Sequence, residues 1–179
     1  MTKQVRTNRK TLFPEGPAAR TAQATIDLRP GSRARDTRSL SDFNSFDIGY
    51  KPTSLEKREG IFFKCEYENP AGSVKDRGIV YQVSCLKTKG VRKAVISSSG
   101  NAAISAIHYC QQAGIDLTVF ISPKINKEKL KILEKSYCQI VKTEKPISNT
   151  VKYSRKSAAA NLRQSTDPNA VIGYEAIAH

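Results

Sequence analysis

The residues best suited to chemistry lie in two short turns, each between a strand pattern and a helix pattern. Residues 69–77 read Asn-Pro-Ala-Gly-Ser-Val-Lys-Asp-Arg, so Lys75 follows a turn-forming run and should lie in the first turn of a helix. Residues 97–101 read Ser-Ser-Ser-Gly-Asn and precede a second helix pattern. Lysine is the residue whose amine binds carbonyl cofactors as a Schiff base. Lys75 and Asn101 on neighbouring turns therefore predict a site for a carbonyl cofactor.

The elements around these turns alternate between the two types of secondary structure. Strand patterns and helix patterns follow one another: strands at residues 61–65, 94–97, 117–121 and 139–141, and helices at residues 73–88, 102–113, 126–136 and 148–163. Gly72 should allow the first tight turn, Gly114 should end the second helix, and Asp76 and Arg77 should anchor the first helix. The short connections predict an α/β fold with an open parallel sheet in three layers, with a small α/β domain at about residues 93–163.

The front of the chain differs from the rest in charge and in turn-forming residues. The first 40 residues carry nine Lys or Arg against three Asp or Glu, in a chain whose net charge is +14. Several residues there break regular structure: Pro14, Gly16, Pro17, Pro30 and Gly31. We predict an irregular basic extension at residues 1–45, ahead of a domain at residues 46–179. It could be a solvated, partly docked arm, a targeting segment, or an arm that binds a polyanion.

The composition argues against several classes of protein. The chain has no apolar run long enough to span a bilayer and no apolar signal core at its start, so we predict a cytoplasmic protein without a membrane partner. Its four cysteines are widely spaced and it has only two histidines, which predicts reduced thiols and no metal site. The basic extension lacks interleaved aromatic residues, so no nucleic-acid partner is predicted.

The two turns, together with the segments around them, resemble a known family. The chain is similar to the pyridoxal-phosphate (PLP) enzymes of the tryptophan synthase β-subunit fold group, fold type II. That group includes threonine synthase, cysteine synthase and the serine/threonine dehydratases. The resemblance runs from the sequence Pro-Thr-Ser-Leu at residues 52–55, through residues 69–77 and 98–101, to residues 127–141, in the family's order.

The resemblance implies a role for each polar residue of the two turns. Lys75 would form the Schiff base and move protons, and Asn101 would hydrogen-bond the cofactor ring. Ser98, Ser99 and Gly100, with Asn101, would hold the substrate carboxylate, because free amides at a helix start bind anions. Two plainer interpretations stay open, namely a solvated lysine at a helix start and a serine-rich loop that only caps the helix.

The resemblance also implies a reaction, a substrate and an assembly. We expect a PLP-dependent lyase or transferase that acts on a small amino acid by elimination or replacement, in a threonine synthase-like or cysteine synthase-like manner. Ala102 favours the first branch and Val74 the second, so the branch stays open. A homodimer is implied for the full-length form. The alternative is a non-catalytic α/β protein whose basic arm binds nucleic acid or another polyanion.

One part of the family's active site has no counterpart in this sequence. The family holds the cofactor phosphate in a glycine-rich loop downstream of the lysine, whereas Gly173 is the only glycine after Gly114 here. Residues 173–179 resemble the lead-in to the helix before that loop. We therefore expect the chain to represent the N-terminal part of such an enzyme, without the phosphate-binding half. By itself it should bind PLP weakly and be inactive.

Overall fold

The structure is a computed structural model that describes residues 52–175 and residue 177. The basic extension predicted at residues 1–45 lies outside the described residues, as does the chain up to residue 51. The described chain starts with an antiparallel hairpin of β1 (Leu55–Arg58) and β2 (Ile61–Lys64). Glu59 and Gly60 between these strands both have positive φ, as a tight hairpin turn requires. The sequence predicted β2 but not its partner β1.

The remaining elements alternate as a parallel α/β sheet requires. In chain order they are α1 (Lys75–Thr88), β3 (Lys93–Ser97), α2 (Asn101–Ala113), β4 (Asp116–Ile121), α3 (Lys127–Glu134), β5 (Gln139–Lys142), α4 (Pro146–Ser157), β6 (Ala160–Asn161) and α5 (Pro168–Glu175). The four strands of this sheet are parallel and stand in the order β5-β4-β3-β6. The predicted fold class is confirmed. No helix among the described residues is long and apolar enough to cross a membrane.

Alternate side chains of the central strands fill two separate apolar layers. On β3, Ile96 belongs to the larger core with α1 and α2, whereas Val95 packs on the opposite face. On β4, Val119 faces the larger core and Phe120 faces Tyr153 of α4. Because side chains alternate along a strand, both faces of the sheet are covered, which explains why these strands are apolar runs. The result is the predicted three-layer arrangement.

Two regions near the end of the chain differ from the sequence prediction. The helix predicted at residues 148–163 ends at Ser157, because Ala158 takes a left-handed backbone conformation and the chain then enters β6. The helix α5 was not predicted, and it occupies part of the stretch interpreted as a lead-in to a helix. Asp167 starts it, since its carboxylate accepts the Asn169 N–H at 2.9 Å and Pro168 follows.

Candidate active site

The first turn brings Lys75 to the start of α1. The Gly72 N–H donates to the Asn69 carbonyl at 2.7 Å, and Gly72 has a left-handed φ of 81°, so this glycine does permit the tight turn. Ser73 then accepts the Lys75 N–H on its hydroxyl oxygen at 3.3 Å. The Lys75 side chain is half-buried at the first residue of the helix. The backbone of Lys75 is therefore held in place by Ser73, while its amine stays accessible to a ligand.

Asp76, beside the lysine, is buried and ties the turn to the next helix. Its carboxylate accepts the Ala71 N–H at 2.6 Å, and it accepts the hydroxyls of Ser105 and Tyr109 in α2. Burial and the charge of Asp76 raise the pKa of Tyr109 well above its usual range, so this hydroxyl stays a donor. Asp76 is therefore a bridge between α1 and α2.

Arg77 is buried as well and anchors the turn on its other side. Its guanidinium donates to both carboxylate oxygens of Glu66 at 2.8 Å and to the Thr53 hydroxyl at 2.9 Å. Glu66 also accepts the Asn69 side-chain amide at 2.7 Å. Burial alone would raise the pKa of Glu66, but the hydrogen bonds from Arg77, Asn69 and Thr53 outweigh it and hold the pKa below its ordinary value. Charged Glu66 thus binds Asn69 and Arg77, the two ends of the first turn, and holds this turn in place.

The second turn, ahead of α2, differs from the first. We call the first turn closed because its polar groups are paired within the protein, and the second open because it keeps backbone donors without an acceptor. No side chain caps the start of α2, and the Ser98 hydroxyl oxygen instead accepts the Gly100 N–H at 3.2 Å. The backbone N–H groups of Ser99, Asn101 and Ala102 have no acceptor within the described part of the chain. Asn101 is exposed, and the serines are half-buried. Free amides at a helix start are suited to binding an anion.

The fold brings the two turns together at one end of the α1–α2 pair. Ser105, which bonds to Asp76, lies one helical turn after Asn101 on the same side of α2. Because Asp76 follows Lys75 directly, the starts of both helices lie next to each other. The structure thus places the predicted residues of both turns in one region. The sequence alone could not supply the Asp76–Ser105 bond that joins them.

Three further residues at this site carried no sequence signal. The Lys75 ammonium nitrogen lies 5.4 Å from the centre of the Tyr174 ring, and Gln164 donates to the Lys75 carbonyl at 3.3 Å. Near the second turn, the Lys129 ammonium nitrogen lies 3.9 Å from where a Cβ at Gly100 would stand. These contacts join parts of the chain far apart in sequence, so no local pattern predicts them.

Two other features of the described residues contact neither Lys75 nor Asn101. A groove of about 550 Å³ lies between residues 67–72, α2 and α3, but neither Lys75 nor Asn101 lines it. Glu56, Cys65 and Glu68 have ligand atoms within 4.8 Å of one another, yet Glu68 already accepts two hydrogen bonds from Ser54. The groove therefore touches the beginning of the first turn without including either candidate residue, and the cluster lies outside the candidate site.

The cysteines of the described chain are free thiols, as predicted. Burial, and secondarily the neighbouring Cys138, raises the pKa of Cys110 to about 12. Burial also raises the pKa of Cys138 to about 11. Both thiols are protonated at neutral pH and are poor nucleophiles, because the thiolate is the reactive form. Their role is packing.

Comparison with known proteins gives the family. The family described as "Pyridoxal-phosphate dependent enzyme" matches residues 48–179, which is most of the chain. The chain belongs to this enzyme family. The chain is 32% identical over 133 residues to threonine synthase of Mycobacterium tuberculosis, covering 70% of this chain and 37% of the relative. It is 32% identical over 90 residues to cysteine synthase 1 of Emericella nidulans, covering 48% of this chain and 24% of the relative.

The fold agrees with solved structures of other proteins. The processed form of threonine deaminase isoform 2 from Solanum lycopersicum superimposes with a TM-score of 0.69 at 17% identity, covering 77% of this chain and 45% of that chain. At this identity the likeness concerns the fold. The chain thus spans less than half the length of each of these three relatives.

The cofactor of this family is pyridoxal 5′-phosphate, as predicted. The residues of the two turns fit its ring end. Lys75 offers an amine for the aldehyde, and Asn101 offers an amide for the ring hydroxyl. The uncapped start of α2 offers free N–H groups for the carboxylate of an amino acid. The described residues therefore include an amine, an amide and free backbone N–H groups of the kinds that an aldehyde, a ring hydroxyl and a carboxylate would bind.

Proposed function

We propose that this chain forms the lysine-bearing wall of a PLP-dependent active site that performs elimination or replacement on a small amino acid. The observation that carries the proposal is the junction of the two turns. A half-buried lysine starts α1, and the Asp76–Ser105 bond holds it beside the uncapped start of α2. The competing interpretation is a merely solvated lysine at a helix start, and the labelling experiment below distinguishes the two.

Lys75 is assigned the covalent and proton-transfer roles. Its Nζ would hold the cofactor through the aldehyde group, and the same amine would take and return the proton at the α-carbon of the substrate. When bound, PLP supplies the electron sink that makes that proton acidic. Asn101 is assigned to orient the ring through its hydroxyl. The Lys75 backbone is held by hydrogen bonds with Ser73 and Gln164, so the side chain that carries the amine starts from a fixed position.

The loop of Ser98, Ser99 and Gly100, with Asn101, is assigned to the substrate carboxylate. Its free amides and the positive end of the α2 dipole favour an anion. Lys129 adds a positive charge close to Gly100. Together these groups would bind a carboxylate with backbone donors and a nearby cation.

The reaction is assigned to the threonine synthase-like or cysteine synthase-like type, with lyase or transferase chemistry. The alignment with threonine synthase is the longer of the two, at 133 against 90 residues, which supports the threonine synthase-like branch as the leading version. A homodimer of the full-length enzyme belongs to the same proposal. The test of the branch is to compare PLP-dependent turnover of phosphorylated and acetylated hydroxy amino acids by the full-length protein.

The 179-residue chain by itself is proposed to hold PLP weakly and to be inactive. Gly173, its only glycine after Gly114, packs inside α5 against α1 and forms no phosphate loop. Without such a loop the cofactor phosphate would give up hydrogen bonds to water and gain few hydrogen bonds from the protein in return. Equilibrium dialysis of the chain with PLP would measure this, and tight stoichiometric binding with substrate turnover would contradict it.

The test of Lys75 is a competition between two lysines in the same chain. PLP is added, the adducts are reduced with borohydride, and labelled peptides are quantified by mass spectrometry. Lys127 is the internal control, because it is also the first residue of a helix and is exposed. We expect Lys75 to be labelled at least about tenfold faster than Lys127, since positioned groups react faster than free ones.

Two variants complete the test. Lys75→Ala should remove the preferred adduct, whereas Lys127→Ala should leave labelling at Lys75 unchanged. Equal labelling of the two lysines in the wild-type chain would reject the assignment of Lys75.

A further inference from the structure

The helix α5 crosses the start of α1 at backbone contact. A Cβ at Gly173 would lie 2.3 Å from the Arg77 carbonyl oxygen and 2.9 Å from the Gly78 Cα. A Cβ at Gly78 would lie 2.7 Å from the Gln164 side-chain nitrogen and 2.9 Å from the Tyr174 ring. At Gly173 a larger residue would force backbone to move, whereas at Gly78 it would displace the side chains of Gln164 and Tyr174. The place of α5 relative to Lys75 is therefore fixed by two glycines.

This close crossing puts Tyr174 over the lysine amine. The Lys75 Nζ lies 5.4 Å from the centre of the Tyr174 ring, within the range of a cation–π contact. The Tyr174 hydroxyl donates to the side-chain oxygen Oε1 of Gln164 at 2.9 Å, and the side-chain nitrogen Nε2 of Gln164 donates to the Lys75 backbone carbonyl at 3.3 Å. Tyr174 and Gln164 thus hold the lysine at both ends, the ammonium through the ring and the backbone through the amide.

We infer that Tyr174 is a positioning residue for Lys75, an inference that rests on the proposed function. The ring holds the ammonium at the start of α1 whenever the amine is not bonded to the cofactor, and Gln164 fixes the ring. A lysine side chain has a long flexible stem, so an amine that must attach, leave and attach again gains from a resting place. An aromatic face suits this role because it attracts the charge without occupying a particular N–H.

The test compares Tyr174→Leu, which removes the ring, with Tyr174→Phe, which keeps the ring and removes only the hydroxyl. Tyr137→Leu is the matched control, because Tyr137 is 76% exposed and lies outside the candidate site. Each chain is labelled with PLP and borohydride, and the ratio of adduct at Lys75 to adduct at Lys127 is measured. We expect Tyr174→Leu to lower this ratio roughly two- to fivefold, while Tyr174→Phe keeps most of it.

A second readout needs no cofactor. In NMR spectra of the chain, the Lys75 side-chain methylenes should show an upfield ring-current shift that Tyr174→Phe keeps and Tyr174→Leu abolishes. A merely structural Tyr174 would lower helix content by circular dichroism without a ratio change specific to Lys75.

The outcomes separate the inference from the proposed function. If Lys75 is preferred over Lys127 in the wild type and equally in Tyr174→Leu, the positioning role is overturned while the proposed function stands. An equal loss in Tyr174→Phe and Tyr174→Leu overturns the role of the ring. If the wild type shows no preference for Lys75, the proposed function fails, and the positioning role fails with it.

Discussion

The turns before α1 and α2 have the same place in the fold and opposite character. At the α1 turn, buried Asp76 and Arg77 bind neighbouring elements, and the Tyr174 ring lies near the amine of the preceding residue, Lys75. At the α2 turn, Asn101 is exposed and the helix start has no side-chain cap. The protein itself satisfies the first turn, whereas the second keeps donors unused. The fold therefore fixes the backbone around Lys75, the residue proposed for the covalent role, and leaves donors free at the turn proposed to bind an anion.

The strongest way to break this contrast is to remove the bridge at the closed turn. Asp76→Ala leaves the Ala71 N–H and the hydroxyls of Ser105 and Tyr109 without their buried acceptor. We expect a loss of about 3 kcal/mol or more in the free energy of unfolding, measured by urea denaturation. The matched control is Glu128→Ala, because Glu128 is likewise the second residue of a helix but is exposed. It should cost less than about 1 kcal/mol, and equal losses would remove the contrast.

Paired glycine substitutions test the same contrast through backbone packing. Gly173→Ala puts a Cβ 2.3 Å from a backbone oxygen of α1, so we expect a loss of about 3 kcal/mol in the free energy of unfolding. In Gly100→Ala the new Cβ meets only the flexible end of the Lys129 side chain, at 3.9 Å. The free energy of unfolding should therefore change by less than about 0.5 kcal/mol. Thermal unfolding of both variants checks this. A tolerant Gly173 would mean that α5 is not locked against α1.

The ion pair at the closed turn predicts a dependence on pH. The folded state lowers the pKa of Glu66 below its ordinary value of 4.5, so its stabilising effect is complete above that pH and is lost as the pH falls through the lowered value. Glu66→Gln should cost about 1 to 2 kcal/mol at pH 7, and the difference from wild type should shrink below pH 4.5. Urea denaturation across pH measures it. The exposed control, Glu144→Gln, should show little difference at any pH, and a constant cost for Glu66→Gln would contradict the prediction.

The sequence predicted the parts of this molecule that depend on local pattern. The turn at Gly72, the start of α1 near Lys75 and the end of α2 at Gly114 follow from strong turn signals. The strand β6 has two residues, too few to show a period, so the end of α4 was misplaced.

The contacts that give the site its character could not be predicted in this way. The approach of Tyr174 to Lys75 depends on two glycines that meet only after α5 has packed on α1. The bond from Ser105 to Asp76 likewise joins two helices through a buried pair, which carries no sequence period. The contacts that close the first turn are therefore tertiary, whereas the second turn has few such contacts and is described by its local sequence alone.

The smallest effect on stability, and the sharpest test of the open turn, is expected for Asn101→Ala. Asn101 is exposed and its side chain makes no hydrogen bond among the described residues, so the free energy of unfolding should change by less than about 0.5 kcal/mol. If its amide orients the cofactor ring, the borohydride-trapped adduct at Lys75 should nevertheless fall roughly two- to tenfold, the worth of one hydrogen bond. Gln111→Ala, an exposed amide on the same helix, should change neither quantity. An unchanged amount of adduct at Lys75 in Asn101→Ala would mean that Asn101 does not orient the cofactor ring. The second turn would then be left with substrate binding as its only proposed role.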